Sequence, residues 1–107
     1  METLEFNENE KIIEKDKIEP YVYIIKSGKV KVSIAGYETT LTDETPDVFG
    51  LEALVGQPYT ETCIASGYVK VIRCEKSEFM DVYAKTEVGK EALKSFMRRT
   101  AKALGWI

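Results

Sequence analysis

The stretch Asp47-Val-Phe-Gly-Leu-Glu-Ala-Leu-Val-Gly-Gln-Pro-Tyr-Thr-Glu-Thr-Cys-Ile-Ala65 decides how this chain is read. Val48-Phe49 ends a short strand at Gly50, and one helical turn follows over Leu51 to Leu54. Gly56-Gln57-Pro58 then turns the chain into an extended run whose residues alternate. Backbone N–H groups at the start of such a turn lack partners inside it, and with the local dipole they favour an anion. The layout is that of a ligand cradle set between two strands. The positive side chain that would complete an anion site is missing from it.

On both sides of the cradle the pattern is β. Upstream, Lys11 to Glu14 reads as a short strand, and Tyr21 to Lys26 and Lys29 to Ala35 flank Ser27-Gly28, read as a two-residue hairpin turn. With Lys26 opposite Lys29, Ile25 meets Val30, Tyr23 meets Val32 and Tyr21 meets Ile34, all on one face. Gly36 leads into a third strand, Tyr37 to Leu41, and Thr42-Asp-Glu-Thr-Pro46 is a polar loop. Downstream, Glu61 to Ala65 and Tyr68 to Arg73 read as another strand pair around Ser66-Gly67. Short strands at close spacing with glycine turns predict a small sandwich or barrel.

Helix signals gather at the C-terminus. Ser77 reads as the N-cap of a helix from Glu78 to Lys85, with Phe79, Val82 and Tyr83 on one side. Thr86 caps a second helix beginning at Glu87. There Leu93, Phe96, Met97, Thr100 and Leu104 recur at three- and four-residue spacing, while Lys90, Lys94, Arg98, Arg99 and Lys102 fall off that stripe and read as a solvated face. The stripe either packs back on the β-structure or forms an a/d-like seam with a second copy, and a homodimer is the reading we favour.

Composition narrows the function. At 107 residues, 44% hydrophobic and 31% charged, the chain is read as one domain over residues 1–107, with strands over about 6–75 and helices over about 77–104. No run is apolar enough to span a bilayer and the acidic start is no signal peptide, so the expectation is a cytoplasmic protein without membrane contact. Cys63 and Cys74 form no CxxC pair and read as buried, reduced thiols. With no histidine, imidazole metal sites, Ser-His and Cys-His pairs and the commonest general base are absent. No catalytic residue, metal or cofactor is expected. A net charge of −3 argues against a nucleic-acid footprint.

The order of these pieces resembles the cyclic-nucleotide-binding domain of catabolite-activator-type regulators and of protein kinase A regulatory subunits, over roughly residues 6 to 104. Tyr23-Ile-Ile-Lys-Ser-Gly-Lys-Val-Lys-Val32 is similar to that family's Tyr-Ile-Ile-x-x-Gly-x-Val-x-Val, and Lys15-Asp16 stands where a Gly-Asp pair is usual. Pro46-Asp-Val-Phe-Gly50, Ala53-Leu54, Gly56-Gln-Pro58 and Thr62-Cys-Ile-Ala65 follow the phosphate-binding cassette, and Val69 to Phe79 resembles the strand and helix start beyond it. The resemblance implies a double-stranded β-helix (jelly-roll) β-roll with C-terminal helices, of the cyclic-nucleotide-binding or cupin-like type.

The departures fall on the ligand-binding positions. The family's cassette reads Phe-Gly-Glu-x-Ala-Leu, its Glu holding the ribose hydroxyl, with a downstream Arg on the cyclic phosphate and a small residue after it. Here Leu51 takes the Glu position, with Glu52 one place on, and Tyr59 takes the Arg position. An Arg–phosphate fork is the strong contact of such a site, and a tyrosine offers at most one neutral hydrogen bond in its place. The candidate ligand-binding residues are Phe49, Gly50, Leu51, Glu52, Ala53, Tyr59, Thr60 and Thr62. Tyr59, Thr60 and Glu61 either line a pocket for another effector, or Tyr59 plugs the cavity. Glu52 is a candidate polar anchor, or a solvated residue on an exposed turn. The expected function is a small-molecule sensor or regulatory domain that does not bind cAMP in the usual way, acting through an effector of unknown identity. The alternative is a ligand-free dimerisation or interaction module. A cupin-like enzyme would need a metal held by carboxylates alone. The regulators' helix-turn-helix would follow the last helix, and none is expected here.

Overall fold

Two 14-residue strands, Tyr21–Ile34 (β3) and Thr62–Glu75 (β6), form an antiparallel spine on which the rest of the chain is built. A computed structural model describes residues 1–44, 47–82, 85–103 and 105. The remaining elements are β1 (Glu2–Phe6), β2 (Lys11–Ile13), β4 (Tyr37–Thr42), β5 (Val48–Phe49), a 3-10 turn (Leu51–Val55), α1 (Lys76–Val82) and α2 (Glu87–Ala103). The sheet runs β1-β6-β3-β4, with β2 on the first half of β6 and β5 on the first half of β3. The mainly-β architecture with C-terminal helices is the one the patterns predict. No helix of the described residues is long and apolar enough to cross a membrane.

The two expected hairpins are a correction. The chain does not reverse at Ser27-Gly28 or at Ser66-Gly67; each strand runs through its Ser-Gly, and the strands pair with each other. Ile25 lies opposite Val71 and Tyr23 opposite Arg73, while Val30 and Val32 lie opposite Ala65 and Cys63 on one side and Leu41 and Thr39 on the other. The register slips between Ile25 and Ser27 and again between Ser27 and Lys29. Gly28 sits at this slip with φ 97°, and a Cβ there would stand 2.5 Å from the Tyr68 carbonyl oxygen. Its left-handed conformation therefore makes a bulge that lets two strands touch, not a turn.

The sheet begins earlier than expected. β1 pairs with β6 from Glu2–Arg73 to Phe6–Val69, with Leu4 and Phe6 against the core. The core is built from the buried residues of β3, β5 and β6, joined by Ile12 and Ile13 of β2, Leu41 of β4 and the cassette residues Leu51, Ala53 and Tyr59, with Phe79 of α1 and Ala92 of α2 closing it. Cys63 and Cys74 are buried and free.

At the helices, α1 starts at Lys76, so Ser77 lies inside it. The Glu78 carboxylate accepts the Glu75 N–H at 3.0 Å, as an N-terminal box does. Phe79 is fully buried and Val82 is exposed; Tyr83 lies outside the described residues. Thr86 does cap α2, its hydroxyl accepting the Gly89 N–H at 3.0 Å. Among the described residues of α2 the buried ones are Gly89, Ala92 and Arg99, one step round from the expected stripe. Leu93, Phe96 and Thr100 are half-buried, Met97 is 68% exposed, and Leu104 lies outside the described residues.

Candidate functional site

The cassette is held between two left-handed glycines. Gly50 (φ 79°) begins the 3-10 turn and Gly56 (φ 68°) ends it. Gly50 also permits a close approach, since a Cβ would meet the Tyr21 carbonyl oxygen at 3.1 Å and the Tyr59 ring at 3.2 Å. Phe49 is fully buried and stacks on Tyr23 with ring centroids 5.3 Å apart, so it serves the core. Leu51 and Ala53 are buried beneath the turn.

Tyr59, which follows the Gly56-Gln57-Pro58 turn, turns inward. It is 1% exposed, and its hydroxyl donates to the Tyr21 carbonyl at 2.7 Å. Its backbone is pinned as well. The Tyr59 N–H donates to the Lys17 carbonyl at 2.9 Å and its own carbonyl accepts the Asp16 N–H at 2.8 Å. Burial pushes the phenol well above its usual range, so it stays a neutral donor.

Glu52 corrects the reading of an exposed, solvated side chain. It is 8% exposed, and its Oε2 accepts both the Thr60 N–H (2.5 Å) and the Thr60 hydroxyl (2.6 Å). A carboxylate oxygen of the chain thus sits on two donors just beyond Tyr59 in the cassette. Oε1 of the same group is buried without a hydrogen-bond partner. Thr62 stands apart from this pair, its hydroxyl accepting the Lys15 N–H at 3.1 Å.

A cleft of about 500 Å³ opens beside the pair. Glu52, Val55, Gln57, Pro58, Tyr59 and Thr60 line it from the cassette, Lys15 and Asp16 from the loop before β3, and Phe96 and Thr100 from α2. Two residues of the candidate dimer stripe therefore face the cassette. The Thr100 hydroxyl, like Glu52 Oε1, is buried and unpartnered.

Arg99 is a second correction. It belongs to no solvated face, being 5% exposed and forked onto Glu61, with Nε to Oε2 at 2.6 Å and an Nη to Oε1 at 3.1 Å. It also donates to the Val48 carbonyl at 3.2 Å and lies 4.0 Å from Asp47, which accepts the Ser95 hydroxyl at 3.2 Å. Burial holds the Asp47 and Glu61 carboxyls above their usual range, although Arg99 opposes that shift in both. Sequence reasoning missed the fork because a helical arginine reads as solvated. The available signal was its spacing, seven residues after Ala92 on the same helix face.

No curated protein sequence matches the chain at a significant level. Among solved structures, PKAR CBD2 bound to Sp-2Cl-cAMPS has a similar fold (TM-score 0.76, 20% identity, 97% of this chain and 71% of that one). So do the catabolite activator protein of Thermus thermophilus (0.71, 13%, 98% and 52%) and the regulatory domain of Toxoplasma gondii PKA with cAMP (0.70, 21%, 90% and 38%). The chain spans about half or less of the length of the last two. At these identities the likeness is one of fold. The sequence carries the relation further, because residues 3–86, from β1 through the cassette to the Thr86 cap of α2, match the model of the cyclic nucleotide-binding domain, and the chain belongs to that family.

Proposed function

We propose that this chain is a small-molecule sensor domain, akin to the effector domain of catabolite-activator-type regulators, whose cassette no longer takes a cyclic phosphate. One observation carries the reading: Glu52 Oε2 occupies the Thr60 N–H and hydroxyl, while Tyr59 fills the interior in place of a guanidinium. An incoming phosphate would meet a carboxylate on those donors and no arginine beside them, so its charge is opposed where the family's site neutralises it. The effector instead enters the cleft between the cassette and α2, and signals by shifting that helix. A ligand moves such an equilibrium only through different affinity for its two states. The two buried free thiols suit a reducing, cytoplasmic setting. No catalytic role, membrane contact or direct nucleic-acid contact is assigned to the chain.

Calorimetric titration of cAMP into the purified protein tests the reading. The expected result is no saturable heat. Micromolar binding would show that the cassette amides suffice, and would overturn the proposal.

We assign the dimer seam to the outward side of α2, where Met97 stands exposed beside Leu93. Met97→Glu is expected to shift the sedimentation of a dimer towards monomer at unchanged melting temperature. An unchanged oligomeric state would rule the seam out.

A ligand-free interaction module on the same fold is the second reading, and the burial of Tyr59 favours it. Unaltered stability in the presence of every effector tested would be its signature.

A further inference from the structure

Glu52 and Thr100 reach the same cleft from the cassette and from α2, and each carries a buried oxygen with no protein partner. Neither oxygen is open to solvent in this structure, so an incoming group reaches them only as the rim side chains yield. A carboxylate oxygen only accepts, so its complement is a donor, and in a covered site the strongest donor is a cationic N–H. We propose that the cleft binds a small organic amine, its ammonium group donating to Glu52 Oε1 and to the Thr100 hydroxyl. Its apolar body lies on Phe96, Pro58 and Val55.

The surroundings support this polarity. Among the described lining residues Glu52 and Asp16 stand against one cation, Lys15, so the charge of the wall favours a cation over an anion. The volume of about 500 Å³ suits a compound of one or two rings. The wall side chains free to yield to an incoming ligand are at the rim, where Val55 is 71% exposed and Phe96 half-buried. Because the ligand bridges the cassette and α2, it would bias the helix position. The inference rests on the reading that the cassette is no longer a phosphate site.

Three probes that share an indole body and differ in end group test it: tryptamine, tryptophol and indole-3-acetate, each titrated calorimetrically, with cAMP alongside. Tryptamine is expected to bind about tenfold or more tightly than tryptophol, the size of a charge-assisted contact, and indole-3-acetate is expected not to saturate. Glu52→Gln keeps an acceptor for Thr60 but places an amide where Oε1 stood, and should weaken tryptamine about tenfold. Thr100→Val should weaken it severalfold, with the melting temperatures of both variants near that of the parent. Equal affinity for the three probes, no binding of tryptamine at about 10 mM, or an unchanged Glu52→Gln variant would each overturn the amine site. The cAMP titration separates the two failures. Silence towards both cAMP and tryptamine sinks this inference alone, whereas micromolar cAMP binding that tryptamine displaces sinks the reading beneath it.

Discussion

Tyr59 and Glu52 show how two neighbouring side chains close the cassette from within. The Tyr59 phenol is buried and finds its partner in the Tyr21 carbonyl. The donors next to it, on Thr60, are taken by the chain's own carboxylate. Tyr59→Phe removes one buried hydrogen bond and leaves that carbonyl short of a donor, so a stability loss of about 1 kcal/mol is expected in urea unfolding. An unchanged midpoint would mean that the Tyr21 oxygen is satisfied by another group. At this scale the sequence was half legible. The pair of fates open to Tyr59, lining a pocket or plugging it, was visible in the sequence. The burial of Glu52 was not, because it depends on Thr60, eight residues away, closing over the 3-10 turn.

At the scale of elements, faces were legible and partners were not. The alternation of β3 marks Val30, Val32 and Ile34 as buried against Lys29 and Lys31, and the structure keeps that segregation. The same alternation fits a hairpin and a long ladder equally, since a pleated strand fixes only which way each side chain points. Gly28 and Gly67 look alike in sequence, as Ser-Gly pairs, yet their surroundings differ. A Cβ at Gly28 collides with the Tyr68 carbonyl, and one at Gly67 meets nothing within 4 Å. Gly28→Ala is therefore expected to lose about 2–4 kcal/mol, combining the left-handed backbone with the clash, and Gly67→Ala about 1 kcal/mol from the backbone alone. Thermal unfolding of the two variants checks the difference. Equal losses would show that no strand contact depends on Gly28.

For the whole molecule the decisive contact is Arg99 on Glu61, because it ties α2 to the residue that leads from the cassette into β6. Arg99→Met strands a buried carboxylate and is expected to cost about 3–5 kcal/mol. The Glu61→Leu, Arg99→Met double variant should recover part of that loss, since Glu61 is then no longer left unpaired, while buried Asp47, 4.0 Å from Arg99, still loses its cation. Denaturant unfolding of the single and double variants tests this, and simply additive losses would mean the two side chains are not coupled. The strand-rich body, the glycine-bounded cassette and the Thr86 cap could be read from the chain alone, because periodicity, left-handed glycines and capping act within a few residues of one another. Tertiary structure alone decided that β3 and β6 pair with each other, that α2 turns Arg99 inward and Met97 outward, and that Glu52 sits on Thr60. Each of these joins groups brought together by folding, and local sequence pattern gives a residue its face but not its partner.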